Sequence, residues 1–219
     1  RLLAREAGAD FTSTEFTAAS GLSRQDARSW AKVETHPRET PFIPQIFGGI
    51  EDEMVETARL LSKNADVIDL NFGCPAPKVT KTCAGAAMMA NPDNLTSMVE
   101  RCIQASEVPV SVKMRLGTSQ NAITVFEIAE RCAQLGVLRI CVHGRTLSQK
   151  YRGDADWDMI RQVVDIAERN DLLVISDEIH CDLVYAPHRH IPVASISELA
   201  SERTVTITAA TKTFNMAGL

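Results

Sequence analysis

Asp66-Val67-Ile68-Asp69-Leu70-Asn71-Phe72-Gly73-Cys74-Pro75 reads as a short strand that runs into a tight loop. Asp66 to Phe72 is the strand, and Gly73 and Pro75 are the residues that shape a turn at its end. Before it, Asp52 to Ser62 carries Met54, Ala58 and Leu61 on one helical face; after it, Asn94 to Ala105 follows a Pro-Asp helix start. The same alternation continues in both directions. The strand candidates are Phe11 to Glu15, Pro41 to Phe47, Asp66 to Phe72, Val108 to Arg115, Arg139 to His143, Leu172 to Asp177 and Thr204 to Ala209. Most are short and rich in Val and Ile, which predicts strands buried on both faces of a parallel sheet.

Strands alternating with helices predict an α/β chain of the TIM (β/α) barrel type. An eight-unit barrel takes roughly 250 residues, and this chain has 219 residues and seven strand candidates. It opens Arg1-Leu2-Leu3-Ala4-Arg5-Glu6-Ala7-Gly8, which already reads as the inside of a helix. The expectation is an incomplete barrel lacking its first strand. Unpaired sheet edges would follow, and they predict homo-oligomerisation.

A hydrophobic share of 45% and a charged share of 23% suit one sizeable core. The formal net charge of -5 gives no general attraction to phosphate backbones, so any nucleic-acid contact needs a local basic face. The six cysteines, at 74, 83, 102, 132, 141 and 181, form no C-x-x-C pair and no regular framework, as reduced thiols in the cytoplasm would. No apolar run approaches the roughly 20 residues that span a bilayer, and no signal-peptide pattern opens the sequence, so a membrane is not an expected partner.

Reactive side chains of a parallel barrel cluster where strands run into their following loops. Gln45, Cys74, Lys113 and His143 are the residues read at such ends, on successive strands. They supply an amide, a thiol, a cation and an imidazole, which is the composition of a flavin pocket: an amide can pair with the pyrimidine edge of the ring, and a lysine stabilises the anionic reduced ring. Taken singly, Cys74 also fits a packed core, and Gln45 and His143 fit satisfied polar residues at a barrel rim. Lys113 has no easy structural reading, because an unpaired buried ammonium is costly.

With Thr14-Glu15 and Gly85-Ala86-Ala87-Met88-Met89, these motifs closely resemble the tRNA-dihydrouridine synthase family over about residues 1–157. The resemblance implies flavin-dependent reduction of uridine to dihydrouridine in tRNA, with NADPH as reductant. It implies that Cys74 protonates C5 of the uracil, that Gln45, Lys113 and His143 hold FMN, and that Arg115 or Arg145 orients ring or phosphate. A thiol suits the task, since its usual pKa of about 8.5 leaves it protonated at neutral pH.

From about residue 163 to Leu219 a second resemblance takes over. Leu172-Leu173-Val174-Ile175-Ser176-Asp177-Glu178-Ile179-His180 and Ala210-Thr211-Lys212-Thr213-Phe214-Asn215 look like fold-type I pyridoxal-phosphate enzymes, nearest the cystathionine β-lyase type within the class I/II aminotransferases. That likeness implies that Asp177 pairs with the pyridinium nitrogen of pyridoxal 5'-phosphate and that Lys212 forms the aldimine. His180 and Tyr185 follow the same local pattern. The expected division is therefore a synthase-like portion, 1–160, and an aminotransferase-like segment, 161–219, standing in for the last two barrel units. Neither cofactor site is expected complete: the synthase-like portion lacks its first strand and a Gly-rich phosphate turn, and the other segment lacks the phosphate-binding helix start. FMN affinity should be reduced accordingly. Three functional readings follow: a synthase, a pyridoxal-dependent carbon-sulfur lyase or aminotransferase fragment, and an inactive chimeric scaffold.

Overall fold

The computed structural model describes residues 1–9, 11–178 and 181–208. They belong to two compact units, Arg1–Asp156 and Trp157–Leu219.

The first unit is α/β and is built on a five-stranded parallel sheet. Its strands, in spatial order, are Thr17–Ala18, Gln45–Phe47, Ile68–Phe72, Val110–Arg115 and Arg139–His143. Spatial order equals chain order, the arrangement of consecutive strand-helix units laid side by side. The expected first two strands are each interrupted. Thr12–Ser13 pairs with Phe42–Ile43 as a separate ladder, and Pro44, which has no N–H to donate, divides Phe42–Ile43 from Gln45–Phe47. Thr14 bridges the break by accepting from the Gln45 N–H at 3.0 Å. A hairpin between Gly117–Ser119 and Ala122–Ile123, which the sequence reading omitted, follows the fourth strand. Gly117 has φ +154°, and a Cβ there would lie 2.1 Å from Ala122 O.

The helices form for local reasons. Glu51–Leu61 has Glu51, Asp52 and Glu53 in its first turn, where carboxylates complement the exposed N–H groups, and it buries Met54, Thr57, Ala58 and Leu61. Pro92–Ala105 begins with proline, is capped by Asn91 Oδ1 accepting from Asn94 N, and buries Leu95, Met98, Val99 and Cys102. Val125–Gln134 buries Val125, Ile128, Ala129 and Cys132. These three helices pack one against the next.

The strands are not apolar on both faces, contrary to the sequence expectation. Register pairs Ile68 with Val110, Leu70 with Val112 and Ile140, and Phe72 with Met114 and Val142 on one face. The alternate residues put Asp69, Ser111 and Arg139 in one rung of the other face, Asn71, Lys113 and Cys141 in the next, and Arg115 and His143 in a third. The first face is core; the second is polar, and it leaves Cys141 exposed. Val and Ile content marks the first set, and the period-2 interleaving of polar residues marks the second.

The second unit contains Trp157–Arg169, Val174–Asp177, Glu198–Arg203 and Thr204–Ile207. Its two strands pair in parallel with each other. Val164, Val193 and Ala200 form a small core to which Ile160, Val174 and Ile196 add. Glu178 is buried and accepts from Ser176 Oγ at 2.8 Å and from the Val193 N–H at 2.9 Å, with His190 Nε2 at 2.5 Å. Burial raises its pKa, but His190, Val193 and Ser176 outweigh that and hold it below the usual value. No helix among the described residues is long and apolar enough to cross a membrane.

The two faces of the first sheet predict opposite sensitivity to substitution. Leu70→Ala, at a fully buried position, should lower unfolding free energy by about 2–5 kcal/mol in urea titrations. Cys141→Ser, at an exposed position on the polar face, should stay within about 0.5 kcal/mol of the parent.

Candidate active site

The polar face and the loop after Ile68–Phe72 carry the candidate residues. Asn71 organises that loop: its Oδ1 accepts from the N–H groups of Gly73 at 2.9 Å and Cys74 at 3.0 Å. An Asn side chain bonding backbone two and three residues ahead is the Asx-turn geometry that an Asn-x-Gly run favours. The Cys74 carbonyl accepts from the Ala86 N–H at 3.0 Å. Gly85 makes that approach feasible, because it has φ +58° and a Cβ there would lie 2.7 Å from Cys74 O. Cys74 is 8% exposed and lies in an apolar cluster with Val79 and Ala84, against which Phe16, Phe47 and Ala76 pack.

Arg115 fastens the loop from the opposite side. It is 3% exposed, and its guanidinium donates to Gly73 O at 2.8 Å, Thr146 O at 3.1 Å and Lys150 O at 2.8 Å, with the Tyr151 ring 5.6 Å from its centre. Burial lowers its pKa from the usual guanidinium value. One buried cation thus joins the cysteine loop to the loop after Arg139–His143.

Gln45, Lys113 and His143 share one face, but they do not stand at one level. Gln45 is the first residue of its strand and pairs in register with Asp69; Lys113 is the fourth of six; His143 is the last of its strand. Successive rungs are about 6.6 Å apart, so the expected common rim is a staircase climbing the face. The Gln45 amide donates to Asp69 Oδ2 at 2.5 Å and accepts from Asn71 Nδ2 at 2.8 Å. Each group still has one N–H or one lone pair free. Lys113 is half-buried and has no ion-pair or hydrogen-bond partner among the described residues. His143 Nδ1 is buried and likewise unpartnered. Burial, followed by the charges of Arg115, Lys113 and Arg145, lowers the His143 pKa from 6.5 to about 4. The ring is therefore neutral at neutral pH, beside three cations whose combined field suits an anionic group.

Of Arg115 and Arg145, either of which was expected to orient ring or phosphate, Arg115 donates from Nε and Nη1 to backbone carbonyls, and Arg145 donates to Gly153 O. Asp69, Asn71, Ser111 and Arg139 had no individual role in the sequence reading. The signal for them was the i, i+2 polar spacing shared by three consecutive strands. Asp177 is exposed at the end of Val174–Asp177. Lys212, with His180, lies outside the described residues, so its expected role has no structural counterpart here.

The dihydrouridine synthase family profile matches residues 1–176. The class I and II aminotransferase profile matches 153–219, so the two overlap, and the first runs past the 157 that the motifs alone delimit. Among curated relatives, a probable tRNA-dihydrouridine synthase of Rhizobium leguminosarum bv. phaseoli is 38% identical over 167 residues, which is 76% of this chain and 52% of the relative. One from Treponema pallidum is 36% identical over 174 residues, covering 76% and 51%. The tRNA-dihydrouridine synthase B of Klebsiella pneumoniae is 32% identical over 164 residues, covering 74% and 51%. The chain spans about half the length of these relatives.

Two outcomes test the site's construction. His143 carries a pKa of about 4 in the folded chain and the usual 6.5 when unfolded; between those values the unfolded chain binds the extra proton. Stability from this group is therefore complete above pH 6.5 and declines as pH falls towards 4, and His143→Gln should flatten that part of a pH-dependent thermal denaturation series. Arg115→Met leaves three backbone carbonyls, two of them in buried bonds, without their donor and should cost about 1–3 kcal/mol in chemical denaturation. On the strength of the profile spanning 1–176, the chain belongs to the dihydrouridine synthase family, whose fold is a TIM barrel.

Proposed function

We propose that the chain reduces uridine in tRNA to dihydrouridine with FMN as its flavin and NADPH as reductant. The observation that carries this reading is a buried, unpartnered His143 Nδ1 on the face that adjoins the Cys74 loop, with the half-exposed Lys113 ammonium one rung away on the same face. Partnerless buried polar groups are costly unless a ligand satisfies them. The names of the relatives support tRNA as the substrate.

The residues present fit the flavin. Gln45 offers one donor and one acceptor to an amide edge, Lys113 a cation, and His143 a neutral ring nitrogen. The chemistry a bound reduced flavin supplies is hydride at C6 of the uracil. Cys74 would give its thiol proton to C5, so that hydride and proton together saturate the C5–C6 bond. The apolar cluster of Phe16, Phe47, Val79 and Ala84 keeps water from the thiol. Asn71 and Arg115 hold the loop so that the donor does not drift from the reacting carbon, which matters because about 1 Å of misplacement costs roughly 100-fold in rate.

Purified chain mixed with FMN should carry flavin absorbance through gel filtration, and with NADPH it should form dihydrouridine in an unmodified tRNA transcript. Cys74→Ala should retain the flavin and lose at least about 100-fold in product formation. Lys113→Met should lose the flavin. A parent chain that elutes colourless would refute the assignment.

A further inference from the structure

Asp69 lies one rung below Asn71 and Lys113, and it is 1% exposed. Its carboxylate accepts from Ser111 Oγ and from Arg139 Nη2 at 3.2 Å through Oδ1, and from Gln45 Nε2 at 2.5 Å through Oδ2. A carboxylate only accepts, so Gln45 must turn its NH2 towards Asp69. Gln45 Oε1 then faces Asn71, which must answer with its own NH2, as the 2.8 Å bond shows. That leaves Asn71 Oδ1 for the Gly73 and Cys74 N–H groups, which need an acceptor. The two ends of the chain of bonds agree: an acceptor at Asp69 and two donors in the loop. Amide oxygen and nitrogen have nearly the same shape, so packing alone does not choose between them. Here the direction of the hydrogen bonds chooses.

We propose that Asp69 is a positioning residue: through the Gln45 and Asn71 amides it fixes the direction of a hydrogen-bond chain that ends on the Cys74 backbone. The same wiring fixes which donor and which acceptor Gln45 keeps free for the amide edge of a ligand. Its importance to turnover rests on the synthase reading above, but the wiring itself does not.

The test uses the full chain with no added ligand and follows iodoacetamide alkylation of Cys74 by peptide mass spectrometry. The buried thiols of Cys102 and Cys132 report global unfolding in the same sample. Asn71→Asp catches the Gln45 amide between two carboxylates, only one of which can receive its NH2. Cys74 alkylation should rise about tenfold or more, with Cys102 and Cys132 still protected. The double variant Asp69→Asn with Asn71→Asp keeps the charge and reverses the chain. The new amide at 69 keeps its oxygen for Ser111 and Arg139 and gives its NH2 to Gln45, which flips and donates to position 71, where a carboxylate oxygen still faces the loop. Its Cys74 rate should return to within about threefold of the parent.

A single variant that alkylates no faster than the parent overturns the proposal, and so does a double variant that stays as reactive as the single. If Asn71→Asp unfolds outright, with Cys102 and Cys132 reacting too, a refolded double variant supports the proposal and a persistently unfolded one overturns it. Failure of the parent chain to retain FMN, with this alkylation pattern intact, counts against the synthase reading alone.

Discussion

Parallel register with a side-chain period of two is the constraint on which the rest of the first unit depends. Once Asp69 pairs with Ser111 and Arg139, and Asn71 with Lys113 and Cys141, every polar residue of these strands is committed to one face and every apolar residue to the other. A slip of one residue would drive Lys113 into the layer that holds Leu70, Val112 and Met114, where an ammonium has no partner. The hydrophobic face therefore does more than stabilise. It sets the register that brings an amide, a carboxylate, a lysine and an imidazole onto the same surface.

Above that face, the cysteine loop is held by polar bonds more than by packing. The Gly73 and Cys74 N–H groups go to Asn71, the Gly73 carbonyl goes to Arg115, and the Cys74 carbonyl goes to Ala86. The backbone N–H and C=O groups of both Gly73 and Cys74 are satisfied, while the thiol is left among aromatic and aliphatic neighbours. A general acid benefits from such a division. The backbone is fixed by directional bonds, and the reactive atom is kept from water.

The order of strands and helices was legible in the sequence because each element carries its own signal. The Pro92-Asp93 start and the apolar spacing of Met54, Ala58 and Leu61 are both local. Gln45, Cys74, Lys113 and His143 could be singled out because their residue types are unusual beside strands. Their heights on the sheet could not, since those depend on pairing between segments far apart in the chain. Nor could the part played by Arg115: its acceptors are carbonyls of residues 73, 146 and 150, and carbonyls leave no trace in a sequence. Asp69 was hidden for a related reason, as its meaning comes from Gln45 on a neighbouring strand. In the second unit the strand pair was legible, but the Glu178–His190 contact with Val193 was not, because it joins residues 12 and 15 positions apart in the chain.

The proposed seat of the flavin is the polar face of the five-stranded sheet, with Lys113 at its middle rung. Site-resolved acetylation of lysines in the full chain, with and without FMN, reads that placement. Lys113 should be modified readily in the free chain and strongly protected by FMN, while the exposed Lys78 and Lys81 react equally in both samples. Equal modification of Lys113 with and without FMN, in a sample that demonstrably retains the flavin, would contradict it.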